Sequence, residues 1–190
     1  GIDITPDGTK VYVGNEASGD MSVIDTATNV VIATIDLGVS GASPRTPAVN
    51  PDGTEVWVGI GAGLNTIKRF RVSDNALLST IGGIVGGAVR LEFLPDGSFA
   101  YAQNQCGACG NLQRIDTTTF AVATLSYGDN GTAAMTIAPD GSNVYVGTGG
   151  VVGDVREVDP SAMSVTRSFS VSAPTAIALS PDADLIYVTR

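Results

Sequence analysis

Histidine is absent from the 190 residues of this chain. The usual proton-transfer group near neutral pH is therefore missing, and this sequence cannot supply a Ser-His-Asp arrangement or a histidine-ligated metal or haem. Lysine occurs only twice, at Lys10 and Lys68. Ten basic residues stand against nineteen acidic ones, net −9; such a surface repels phosphate backbones, so no nucleic-acid partner is expected. No apolar run reaches the roughly eighteen residues of a transmembrane helix. No glycine-rich motif lies between a strand and a helix to cradle phosphate, and the scattered acidic residues form no Asp-x-Asp-x-Asp-Gly calcium loop. No cofactor is expected.

What the chain does contain is a repeat. Pro6-Asp7-Gly8, Pro51-Asp52-Gly53, Pro95-Asp96-Gly97, Pro139-Asp140-Gly141 and a decayed Pro181-Asp182-Ala183 follow one another at intervals of 45, 44, 44 and 42 residues. A fixed period of that size marks a solenoid, propeller or array. Six residues after each proline stands an aromatic: Tyr12, Trp57, Tyr101, Tyr145 and Tyr187. Its neighbours are apolar on both sides, which predicts a short strand covered on both faces. Before each turn, Ile4, Val49, Phe93, Ile137 and Leu179 alternate with Ile2, Pro47, Leu91, Met135 and Ile177. That period-two spacing predicts a second strand, paired to the first as a tight hairpin.

A second hairpin follows in each copy. Its first strand carries apolar pairs three apart, namely Met21 and Ile24, Ile67 and Phe70, Leu112 and Ile115, and Val155 and Val158. Its last strand is read at Val30 to Ile35, Ala76 to Ile81, Ala121 to Leu125 and Val165 to Phe169. Four short strands in about 44 residues is the blade of a β-propeller. The expected fold is all-β: an arc of four complete four-stranded antiparallel blades plus one half blade. It is read as one incomplete domain over residues 1–190, with repeats at approximately 1–44, 45–88, 89–132, 133–174 and 175–190. The five aromatics are expected to pack between blades. Missing outer strands in the last copy point to a fragment of a longer chain or an arc completed by another subunit.

The segments Tyr12-Val13-Gly14-Asn15, Tyr145-Val146-Gly147-Thr148 and Tyr187-Val188-Thr189-Arg190 resemble the YVTN-type β-propeller repeat. So do Ser22-Val23-Ile24-Asp25-Thr26-Ala27-Thr28-Asn29 and Val31-Ile32-Ala33-Thr34-Ile35. The resemblance covers essentially the whole chain. It implies kinship with surface-layer-like propeller proteins of bacteria and archaea, a group whose repeat also occurs in periplasmic redox subunits and lactonase-like enzymes.

A repeat accounts for most apolar residues as scaffold, so its breaks are where function is sought. The hairpin turns are uniform, whereas Asn15 to Asp20, Gly59 to Thr66, Gln103 to Asn111 and Thr148 to Asp154 differ from one another. Variable loops on a rigid scaffold are common binding surfaces; Asn104, Gln105 and Asn111 are the candidates there. Arg45 and Arg90 stand just before the first strand of neighbouring blades. They are read either as converging on an anionic group at the channel mouth or as solvated or carboxylate-paired loop arginines. Asn130-Gly131-Thr132 is a glycosylation sequon and equally a turn, the turn being preferred.

Cys106-Gly107-Ala108-Cys109-Gly110 departs most sharply from the repeat. Thioredoxin-like redox chemistry wants a helix after the first cysteine. A zinc site lacks its second pair of ligands, so any metal would be shared with another chain. Attachment of c-type haem needs histidine where Gly110 stands. A disulfide between Cys106 and Cys109 is the preferred reading in an exported chain with an even cysteine count; so small a loop contributes only about 2 kcal/mol.

Low lysine, abundant Thr, Ser and Gly, and strong acidity fit an exported protein of the cell surface, periplasm or extracellular space. The functional expectation is a non-enzymatic propeller for surface structure, adhesion or protein interaction. Its partner would be another protein or a chain completing the ring, with homo-oligomer, filament or layer assembly as further forms. The alternative is the propeller part of a lactonase-like or redox-partner-docking enzyme whose active residues lie outside this chain.

Overall fold

The Pro-Asp-Gly segments fold as tight turns, and their chemistry shows why. The Gly8 N–H donates to the Thr5 carbonyl at 2.8 Å, and the same bond recurs from Gly53 to Asn50, Gly97 to Leu94 and Gly141 to Ala138. Proline presets φ at the first central position, and the glycines sit at φ between 71° and 74°, the left-handed region that a side chain disfavours. Asp7 Oδ1 then accepts from the Thr5 hydroxyl (2.6 Å), the Thr9 amide (3.0 Å) and the Thr9 hydroxyl (2.9 Å). In the fifth copy Ala183 takes the glycine's place at φ 60°. Ala183→Gly is expected to raise stability by about 1 kcal/mol, measured as a higher denaturation midpoint at constant m-value.

The computed structural model describes residues 1–38, 44–61, 63–104, 110–128, 130–149, 153–172 and 174–190, the side chains of 89 and 130–133 excepted. Every regular element among them is a strand. β1 (Ile2–Ile4), β2 (Lys10–Asn15), β3 (Asp20–Asp25) and β4 (Val30–Asp36) form one sheet in chain order. β5 (Pro44–Val49), β6 (Glu55–Ile60), β7 (Thr66–Arg71) and β8 (Leu77–Ile81) form the second. β9 (Ala88–Phe93), β10 (Phe99–Asn104), β11 (Asn111–Asp116) and β12 (Val122–Ser126) form the third. The fourth comprises β13 (Asn130–Ile137), β14 (Val144–Gly149), β15 (Asp154–Asp159) and β16 (Ser164–Ser170). β17 (Ala176–Leu179) and β18 (Ile186–Thr189) pair alone. The expected four blades and a half blade are therefore present. Among the described residues no helix is long and apolar enough to cross a membrane.

The chain divides into two compact units, Gly1–Phe93 and Leu94–Arg190. In the first, Tyr12, Met21, Val23, Ile35 and Leu37 of the first sheet pack on Val56, Val58, Ile60 and Phe70 of the second. Residues three apart on a strand face opposite sides, which explains the apolar pairs: Ile67 and Phe70 are both buried because this sheet is covered on both faces. Ile2 and Ile4 lie on the open face of the first sheet and stay exposed. Polar links reinforce the seam. Lys10 Nζ donates to the Val72 carbonyl at 2.7 Å and Lys68 Nζ to the Leu37 carbonyl at 2.6 Å, so both lysines of the chain tie these two blades.

In the second unit, Tyr101 and Leu112 pack on Met135, Ile137, Val144, Val146 and Val158. The Tyr101 hydroxyl and Arg114 Nη1 each donate to the Pro160 carbonyl at 2.8 Å. Ala134, Tyr145 and Val155 then pack on Ile177 of the terminal hairpin. The aromatics behave as expected at four copies. Tyr187 does not: it is 58% exposed, and no described strand beyond its own hairpin packs on it. Burial pushes the phenols of Tyr12 and Tyr101 up to about 12.

Nine aspartates repeat one electrostatic pattern. Asp7, Asp52, Asp96, Asp140 and Asp182 in the first turns, and Asp25, Asp74, Asp116 and Asp159 in the second, all lie below the ordinary 3.8. Hydrogen bonds to the ionised carboxylate are the cause: the Thr5 hydroxyl contributes most at Asp7, the Ser98 amide at Asp96. A depressed folded value means that the stabilisation is complete above the unfolded value and is lost as pH falls through the folded ones. Thermal melts should be nearly level from neutrality to about pH 5 and drop steeply below about pH 4. A melting temperature unchanged at about pH 3 would refute this.

Candidate functional site

In a propeller, the connections between second and third strands and those between blades emerge on one face. That face is built differently in every blade here. In the first, Asn15 Nδ2 donates to Asp20 Oδ1 at 2.6 Å, joining the last residue of β2 to the first of β3. In the third, the Asn111 amide donates to Asn104 Oδ1 at 3.0 Å, joining β10 to β11. In the fourth, the Thr148 hydroxyl donates to Asp154 Oδ1, joining β14 to β15. Ile60 and Thr66 hold this place in the second blade, paired without such a bond. A side-chain hydrogen bond thus closes the hairpin neck in three of the four blades.

This pairing reassigns two of the sequence candidates. Asn104 and Asn111 are 1% and 3% exposed, so they present no polar surface to a ligand; they hold the neck of the third-blade loop. Gln105, Cys106 and Cys109 lie outside the described residues. Arg45 and Arg90 stand within β5 and β9 rather than before them, because β5 already pairs at Pro44 with Ile60, across a bulge that ends at Pro47. They do not act together. Arg45 pairs with Glu16 at 2.9 Å, both groups partly exposed, an interaction worth less than about 1 kcal/mol. Arg90 instead borders a concavity along the inner strands. Asn130 and Gly131 open β13, paired with Gly149 and Thr148, so the preferred turn there is a bulged strand.

Sequence reasoning passed over Gln103. The eighth residue after the proline is Gly14, Gly59 and Gly147 in the other blades. Glycine is needed in the first two because a Cβ at Gly14 or Gly59 would overlap the carbonyl oxygen of Arg45 or Ala88 on the next inner strand. Gln103 is fully buried at this position, and its Nε2 donates to the Gly147 carbonyl at 2.9 Å. Beside it, Arg156 donates through Nε to Asp154 Oδ2 at 3.1 Å and stacks 5.2 Å from the Tyr127 ring. Buried amides therefore replace the glycine packing where the third and fourth sheets meet. The departure from glycine at position eight was the available signal. Among the described residues, no cluster of three acidic or cysteine side chains is arranged to hold a metal.

The all-β architecture with four-stranded antiparallel sheets in chain order defines a β-propeller arc. No family model matches the sequence, nor does any curated protein. Solved structures do share the fold. One, described as Kuenenia stuttgartiensis hydrazine synthase, is 21% identical, with a TM-score of 0.90 over 98% of this chain and 54% of its own. A chain in a structure titled as the mitotic checkpoint complex is 16% identical, with a TM-score of 0.85 over 99% of this chain and 57% of its own. The β-propeller domain of Cps50 (Swd1) from Myceliophteria thermophila is 13% identical, with a TM-score of 0.78 over 98% of this chain and 61% of its own. The chain spans little more than half the length of each.

Proposed function

We propose that this arc is a protein-interaction module, part of an exported propeller of the YVTN type, and that it engages its partner through the heterogeneous loop face. The contrast between the two faces carries this reading. Four of the five first-hairpin turns repeat the same Pro-Asp-Gly chemistry, whereas the opposite side changes its closing pair and, at Gln103, its packing from blade to blade. The likeness to a chain in a structure titled as the mitotic checkpoint complex supports a partner of protein character.

Crosslinking and mass spectrometry of the protein in its native complex test the assignment. Crosslinks concentrated on residues 16–19, 61–65 and 148–154 are expected. Crosslinks confined to the Pro-Asp-Gly turns would overturn it. A second reading, the propeller part of an enzyme with its reacting groups on other segments or subunits, is supported by the likeness to hydrazine synthase. A catalytic subunit crosslinked to the loop face would favour it.

The exported location carries its own expectation. Cys106 and Cys109 should resist thiol labelling until a reductant is added. Quantitative labelling of the untreated protein would place the chain in a reducing compartment.

A further inference from the structure

Apart from its loops, the first unit holds one feature that the repeat does not explain. Five residues before each proline stand Gly1, Thr46, Arg90, Ala134 and Ala176. Four are small, and only Arg90 is long and charged. It borders a concavity of about 270 Å³ along β1, β5 and β9, together with Asp3, Thr46, Ala48, Glu92 and apolar neighbours. We propose that this concavity binds a compact organic carboxylate carrying its own hydrogen-bond donor, of the hydroxy-acid or amino-acid kind, with Arg90 as the anchoring cation.

Pairing sets Arg90 apart from the other six arginines that stand in strands. Arg45, Arg69, Arg71, Arg156 and Arg167 each face a carboxylate, and Arg114 donates to two backbone carbonyls. The guanidinium of Arg90, half-buried on its strand, has no hydrogen bond or ion pair with any described residue. Two carboxylates, Asp3 and Glu92, share the lining with it. Asp3 accepts the Ile4 amide at 2.8 Å through Oδ1 and the Val49 amide at 2.7 Å through Oδ2, and Glu92 has a partner of its own. A guanidinium in a recess with its donors unmet is a ready receptor for a carboxylate, which it grips bidentately.

The walls narrow the ligand class. A volume of about 270 Å³ lies at the lower edge of small-molecule sites, which suits a compact molecule. Asp3 and Glu92 add negative charge to the rim and repel a bare polyanion such as sulfate. The same carboxylates, with the Thr46 hydroxyl, favour a ligand that offers a hydroxyl or ammonium beside its carboxylate.

Calorimetric titration with L-lactate, L-serine, acetate and sulfate tests the assignment, on the wild type and on Arg90→Ala, Arg90→Lys and Arg71→Ala. Saturable millimolar binding of L-lactate or L-serine is expected, stronger than for acetate or sulfate, and the preferred one of the two identifies the donor as hydroxyl or ammonium. Arg90→Ala should weaken it about tenfold or more, a loss of about 1.4 kcal/mol. Arg90→Lys should fall between, keeping the charge without the fork. Arg71→Ala, which removes an exterior ion pair, should leave it unchanged. If Arg90→Ala does not fold, as judged by its melt, the comparison of Arg90→Lys with Arg71→Ala decides. No saturable binding by either probe, equal binding of sulfate, or equal loss in Arg71→Ala would each overturn the proposal.

Discussion

Trp57→Ala is expected to lower stability by about 3–5 kcal/mol, the range for deleting a large aromatic from a packed core. Trp57 is fully enclosed, and its ring meets Phe93 of β9 edge-on at 5.0 Å and 72°. Its Nε1 donates to Glu55 Oε2 at 2.8 Å. Arg69 lies 5.3 Å from the ring centroid and grips Glu55 through Nε at 3.0 Å and Nη2 at 2.7 Å. Removing the indole therefore opens a cavity, leaves Glu55 short of a donor and strips a face from Arg69 at once. Trp57→Phe keeps most of the area and loses the N–H bond, so about 1–2 kcal/mol is expected. Denaturant titration of the two variants separates packing from hydrogen bonding. A loss under about 1 kcal/mol for the alanine variant would mean that Trp57 does not support a blade seam.

The scaffold was legible because the repeat states it five times. Proline, aspartate and glycine at fixed offsets specify a turn by backbone chemistry alone, and an aromatic at a fixed distance beyond it needs a covered face. Propensity and period are local, so they survive without knowledge of the partner strand. The site residues were less legible, for a matching reason. Whether the Asn104 side chain meets a ligand or accepts the Asn111 amide depends on the register of β10 with β11, which no local pattern reveals. Asn15 with Asp20 and Thr148 with Asp154 do the same task with different residue types, so the device is conserved in geometry and hidden in letters. Arg45 belongs to β5 because that strand already begins at Pro44, and proline at the first position of an edge strand is tolerated. The recess beside Arg90 is lined from three strands far apart in sequence, β1, β5 and β9, which only the fold brings together.

Glycine on the second strand of a blade sets how closely the next blade approaches, and Gly59 is the sharpest case. Its backbone lies against the inner strand β9, where a Cβ would overlap the Ala88 carbonyl oxygen and lie 2.7 Å from the Ala88 Cβ. Ala88 is itself buried, and a backbone carbonyl cannot swing away as a flexible side chain can. Gly59→Ala must push β9 outward along the seam that holds Trp57 against Phe93. A cost of about 1–3 kcal/mol is expected, more if the aromatic contact opens as well. Gly82→Ala is the matched control: nothing lies within 4 Å of its Cβ position, and its φ is not in the left-handed region. There the lost freedom of the unfolded chain should leave stability unchanged or raised by up to about 1 kcal/mol. Opposite signs for the same chemical change would show that blade spacing, rather than helix or strand propensity, selects glycine at position eight. Equal effects at the two sites would place the tight approach of β6 and β9 in doubt, and with it the seam on which the Trp57 expectation depends.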